Sequence, residues 1–111
     1  TSRIASAAAT VNATSAKASA GQVFRISGNN VKASVVYLKL YNKATAPTVG
    51  TDTPLLTIAI PASGVFNIDI GGANGFHFST GIAYGFTTDA ADNGTTALSA
   101  GDILGFTLTY A

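Results

Sequence analysis

The sequence contains no cysteine, methionine, tryptophan or glutamate, and it carries a single histidine, His77. Without cysteine there is neither a disulfide framework nor a thiolate zinc site, and the redox compartment is left open. Without glutamate, every acidic side chain must be one of five aspartates, Asp52, Asp69, Asp89, Asp92 and Asp102. Charge of either sign is scarce: charged residues make up 10% of the chain, where soluble domains usually carry about a quarter. A surface so weakly charged has lost much of the usual protection against self-association, and an assembly component tolerates it better than a free monomer. The six basic residues, Arg3, Lys17, Arg25, Lys32, Lys39 and Lys43, are dispersed, so no stripe that could track phosphates is formed and nucleic acid is not an expected partner. No apolar run approaches the roughly 20 residues of a membrane span, so no membrane partner is expected either.

What is present is apolar and β-prone. Hydrophobic residues make up 47% of the 111 residues, enough for one domain with one continuous core and too much for disorder. Residues 1–20 are rich in Ala, Ser and Thr and lack the apolar block of roughly 7–15 residues that a secretory signal needs. The chain opens on Thr1 rather than Met, which raises the expectation of a trimmed or processed N-terminus.

The helix template fails almost throughout, because glycine is frequent and the apolar runs are β-branched or aromatic with period two. Gln22–Ser27 alternates Phe24 and Ile26 with Val23 and Arg25, and Gly28-Asn29-Asn30 reads as a turn. Ser34–Tyr41 sets Val36, Leu38 and Leu40 against an amphipathic face of Tyr37, Lys39 and Tyr41. Leu55–Ile60 lies between Pro54 and Pro61, where ladder donors are dispensable. Val65–Ile70 turns Phe66, Ile68 and Ile70 inward, Phe76–Phe78 is a short strand, and Ile82, Tyr84 and Phe86 alternate with small residues. Ile103–Tyr110 closes the chain with Leu104, Phe106, Leu108 and Tyr110 on one face. If part of residues 9–19 also pairs, there are about eight strands at the spacing of a sandwich or barrel. The expectation is an all-β single domain, a β-sandwich of jelly-roll or Greek-key type. Residues 21–111 form the sandwich, and residues 1–20 form an extended N-terminal arm or an edge strand. The long connection from Asn42 to Thr53, with Pro47 and Gly50, reads as a fixed surface excursion able to reach a partner.

Few residues are available for chemistry. His77 stands between two phenylalanines, so its imidazole points away from theirs, a surface or interface position. No G-x-S-x-G elbow surrounds any serine, and nothing in the spacing of the aspartates sets two of them around a cleft as glycoside hydrolysis requires. No catalytic residue, cofactor or metal is expected. Asp89 to Gly94 partly resembles a calcium loop, but Ala91 fills its third place and Ala100 stands where the bidentate glutamate belongs. An Asx-rich turn explains it better. Tyr37 and Tyr41, on one face with Lys39, form at most a weak sugar platform without tryptophan; packing on a second sheet or a neighbouring subunit is the commoner use of such tyrosines.

The run from Tyr37 to Pro54, YLKLYNKATAPTVGTDTP, resembles small virion-associated proteins of tailed bacteriophages, and Leu56–Pro61, Phe78–Tyr84 and Ala100-Gly101-Asp102 fit the same likeness. It implies a structural virion protein on the outer surface of the head that cements or decorates the capsid, with the major capsid protein as partner. A homo-oligomer is expected, a trimer ahead of a dimer. Residues 1–20 could drape over the capsid protein by strand addition or simply close the domain's own sheet. The candidate interface comprises Tyr37, Lys39, Tyr41, Pro47, Val49, His77, Arg3 and Val11. Competing readings are a head-fibre, tail or baseplate module that contacts the host surface, and a carbohydrate-binding module.

Overall fold

Period-two alternation produces nine strands in the computed structural model, which describes residues 1–111. They are β1 (Ser2–Ser6), β2 (Thr14–Lys17), β3 (Gly21–Asn30), β4 (Val36–Asn42), β5 (Leu56–Ile60), β6 (Gly64–Asp69), β7 (Phe76–Phe78), β8 (Ile82–Thr87) and β9 (Ile103–Tyr110), with one 3-10 turn at Gly72–Asn74. The first sheet runs β1-β9-β3-β6, with β7 also on β3, and the second runs β2-β8-β4-β5. Pairing is antiparallel and nested: β1 with β9, β2 with β8, β3 with β6 and β7, β4 with β5. The chain is thus one long hairpin wrapped on itself and closed by the β3–β9 and β4–β8 ladders, which is jelly-roll connectivity. Residues 1–20 supply an edge strand to each sheet. β1 pairs with β9 from Ser2↔Leu108 to Ser6↔Leu104, so this segment is folded into the sandwich and does not extend away from it.

Between the sheets lie 17 buried apolar residues, among them Val36, Leu38 and Leu40 of β4 and Ile82, Tyr84 and Phe86 of β8. Tyr84, Phe86 and Phe106 form its centre, with ring centroids 5.0 to 6.2 Å apart in edge-on or tilted contacts. Such contacts add to a burial worth about 1.5–3 kcal/mol for each large side chain.

Two compensating bulges correct the expected faces of β3 and β9. The register passes from Val23↔Tyr110 to Arg25↔Thr109, so β3 carries one extra residue, Phe24. Val23 and Ile26 are both buried, and Phe24 leaves the core for the outer face beside Arg25. Further along, Ser27↔Thr107 is followed by Asn29↔Leu104, so β9 carries the second extra residue. Gly105 takes it up with φ of 61°, a left-handed conformation that favours glycine. Ile103 consequently turns inward and Leu104 outward, the reverse of the simple alternation.

Gly28-Asn29-Asn30, expected to turn, stays in β3. A Cβ on Gly28 would lie 2.9 Å from the Phe66 ring, so the glycine is there for close packing. The turn begins at Asn30, which is fully buried. Its Nδ2 donates to the carbonyls of Ser34, Ile60 and Pro61 at 3.2, 3.4 and 3.0 Å, and its Oδ1 accepts from the Lys32 N–H at 3.0 Å. One side chain therefore ties the β3–β4 loop to the end of β5.

Candidate functional site

The outer face of the second sheet is closed by the chain's own loops. All six residues of β8 are buried, which requires cover on both faces. That cover comes from residues 8–13, 44–53 and 88–97. The Phe86 N–H donates to the Val11 carbonyl at 2.7 Å, and a Cβ on Gly85 would come within 2.9 Å of Val49 and 3.3 Å of the Val11 carbonyl. Gly50 meets Thr95, so the two long loops touch above the sheet.

Lys39 lies under this cover, fully buried. Its Nζ donates to the carbonyls of Ala91 at 2.6 Å and Gly94 at 3.4 Å. Burial holds the ammonium below its ordinary value of 10.5, and the charges of Asp89 and Asp92 oppose that shift. The segment weighed as a calcium loop is therefore wrapped around a lysine. The Asp89 carboxylate accepts from Thr96, including its N–H at 3.1 Å, and these bonds hold it below 3.8. No group of three metal-ligating acids or histidines exists in the molecule.

Tyr41 is 1% exposed, and its hydroxyl is buried without a hydrogen-bond partner. Burial, and then the charges of Asp52 and Asp92, pushes the phenol above 10.0. Asp52 itself accepts from Lys43 Nζ at 2.6 Å and from the Thr48 N–H at 2.7 Å, which hold it below 3.8.

The eight residues expected at an interface thus divide. Lys39, Tyr41 and Pro47 are buried inside the fold, and Tyr37, Val49 and Val11 are half-buried on the covered side. Arg3 and His77 are exposed on the first sheet. The Tyr37-Lys39-Tyr41 face is consequently not an open platform for sugar or partner.

The outer face of the first sheet is open. One row reads Arg3, Thr107, Ser27, Asn67; the next reads Thr109, Arg25, Asp69. His77 stands beside Gln22, with Nδ1 3.4 Å from Gln22 Nε2. A third row, Leu104, Asn29, Val65, marks one end of the sandwich. Four of the five exposed large apolar residues belong to segments at that end: Val65 (82% exposed) and Leu104 (38%) in the row, and Val31 (48%) and Val35 (36%) in the β3–β4 loop. The Val31 N–H donates to Asp102 and the Asn30 side chain holds Ser34, which keeps the β3–β4 loop at this end. At the other end of the same sheet is an open groove of about 470 Å³ lined by Phe24, Arg25, Asp69, Gly72, Ala73 and Thr109.

The titratable groups are kept apart. Asp69 pairs with Arg25 at 3.0 Å, Asp52 with Lys43 at 2.6 Å and Asp102 with Lys32 at 3.5 Å. The groove holds one carboxylate, Asp69, so no pair of acids flanks it. No protein-family model, curated protein or solved structure matches the chain. The bulges hid Leu104 and Phe24 from the sequence, while Val65 was already outward by alternation. Leu104 and Phe24 occupy positions that strict alternation assigns to the core.

Proposed function

We propose that the chain is a structural virion protein of a tailed phage, which cements or decorates the outside of the head by repeated protein–protein contacts and has no catalytic role. The observation that carries this reading is the apolar end of the sandwich, Val31, Val35, Val65 and Leu104, on a molecule with little charge to keep copies or partners away. Single exposed apolar residues are ordinary; Val65 and Leu104 share one cross-strand row, with exposed Val31 in the adjoining loop, and together offer an apolar surface for contact. The likeness of residues 37–54 to small phage proteins supports the major capsid protein as partner. Each contact can be weak, because a symmetric shell presents many copies of the same site and a homo-oligomer, here a trimer, engages several at once.

The test is reattachment of the purified protein to heads stripped of it, followed by sedimentation. Wild-type chain is expected on the heads, and Val65→Asp and Leu104→Asp are expected in the supernatant as folded protein. Thr51→Asp, in the exposed β4–β5 loop, should bind as wild type. Failure of the wild-type chain to reattach, or unchanged binding of both Asp variants, overturns the proposal.

A further inference from the structure

The groove lies away from the apolar end, four residues along β6 from Val65 to Asp69, a separation of about 13 Å at strand rise. We infer that this groove binds a carbohydrate, taking one pyranose residue with two adjacent hydroxyls.

Three features of the groove select that chemistry. Its charge is internally cancelled, because Arg25 Nε donates to Asp69 Oδ1 at 3.0 Å. A phosphate or a lone carboxylate would meet the aspartate as well as the arginine, so an anion is disfavoured. The same pair presents unused groups to a neutral polyol: the remaining N–H groups of the guanidinium donate, and Asp69 Oδ2 accepts. A hydroxyl both donates and accepts, so two vicinal hydroxyls match a side-by-side acceptor and donor. Thr109, next to Arg25 in the same row, lines the groove and adds a hydroxyl of the same dual character.

The third feature is the aromatic wall. The β3 bulge brings Phe24 onto the face of its neighbour Arg25, which regular alternation forbids. Bulges recur where a side chain must be re-aimed. A Cβ on Gly75 would come within 2.9 Å of Phe24 Cδ1 and Cε1, so the glycine closes on the ring and fixes it. The apolar C–H face of a pyranose has such a ring to pack on, while its hydroxyl edge reaches Arg25 and Asp69. On the far side Gly72 and Ala73 are exposed and a Cβ on Gly72 would meet nothing within 4 Å, so the groove is open for a longer glycan to continue.

The test is a titration of the isotope-labelled protein, followed by amide NMR, with methyl glycosides of glucose, galactose and mannose. Glycerol at the same concentration serves as the polyol control. A single sugar of about a dozen non-hydrogen atoms binds in the millimolar range, so additions reach about 20 mM. Saturable shifts at Phe24, Arg25, Asp69, Gly72, Ala73 and Thr109 are expected with at least one glycoside and not with glycerol. Asp69→Asn, at an exposed side chain, keeps the fold and is expected to weaken binding about tenfold by replacing an ionic acceptor. Phe24→Ala is expected to abolish it. No saturable shift with any of the three glycosides, or equal affinity in Asp69→Asn, overturns the inference. The titration is made on the free protein, without heads, so failure of this site is separable from failure of the virion reading.

Discussion

Replacing Asn30 by Asp changes one atom group and reverses its hydrogen-bonding sense at a fully buried position. In the native chain the Nδ2 group donates to three carbonyl oxygens, and only Oδ1 accepts. The aspartate keeps the bond from Lys32 and turns its second oxygen toward the carbonyls of Ser34, Ile60 and Pro61. Two N–H donors are lost, worth about 1 kcal/mol each in net terms. An ionised carboxylate facing carbonyls also has its pKa raised, and a shift of about two units adds close to 3 kcal/mol at neutral pH. The sign follows from linkage: the folded variant binds the proton more tightly than the unfolded one. The extra penalty is therefore absent below the unfolded carboxyl pKa and grows as pH rises toward the folded one. Urea unfolding, read by far-ultraviolet circular dichroism, should show a deficit of about 5 kcal/mol against wild type near pH 7.5, shrinking to about 3 near pH 4.5. Asn30→Ala should show about 2–3 kcal/mol at both. A deficit for Asn30→Asp under about 1 kcal/mol, or one no smaller at the lower pH, refutes the role assigned to this side chain.

Lys39→Met keeps the buried stem and removes the charge, so stability should stay within about 1 kcal/mol of wild type, whereas Lys39→Ala should lose about 2–4 by leaving a void under the loops; chemical denaturation separates them, and equal losses contradict the packing account. Tyr41→Phe removes an unpartnered buried hydroxyl and should raise stability by about 1 kcal/mol. Because the Tyr41 phenol is raised above 10.0, wild-type stability should fall as pH rises past 10.0 toward the folded value, and Tyr41→Phe should fall less in thermal melts. Asp52 and Asp89, both held below 3.8, contribute stability above that value that is lost as pH drops through their folded values. Asp52→Asn should therefore flatten the acid limb of the stability curve. Gly105→Ala places a side chain at positive φ in open space and should cost about 1–2 kcal/mol by backbone strain alone. A smaller loss would contradict the β9 bulge.

The strands whose alternation is unbroken were legible from the sequence. Val36, Leu38 and Leu40, and Ile82, Tyr84 and Phe86, are buried as their spacing requires. Phe24 and Leu104 were not, because a bulge is a mismatch between two strands remote in sequence and leaves no mark in either alone. The cover on the second sheet was equally hidden. Lys39 between two tyrosines has the pattern of a solvent face, and only the return of residues 88–97 supplies the carbonyls that hold its ammonium. Of the candidate sites, Arg25 and Asp69 were visible as outward residues of their strands. Their ion pair, and the aromatic ring beside it, depend on the β3–β6 register.

Imaging of purified particles of the phage proposed to encode this chain tests the central claim most directly. Density for the jelly roll is expected at regular positions over the outer head, with the Val65 and Leu104 end against the capsid. Absence of the chain from purified particles, or density confined to the tail or a single vertex, contradicts it.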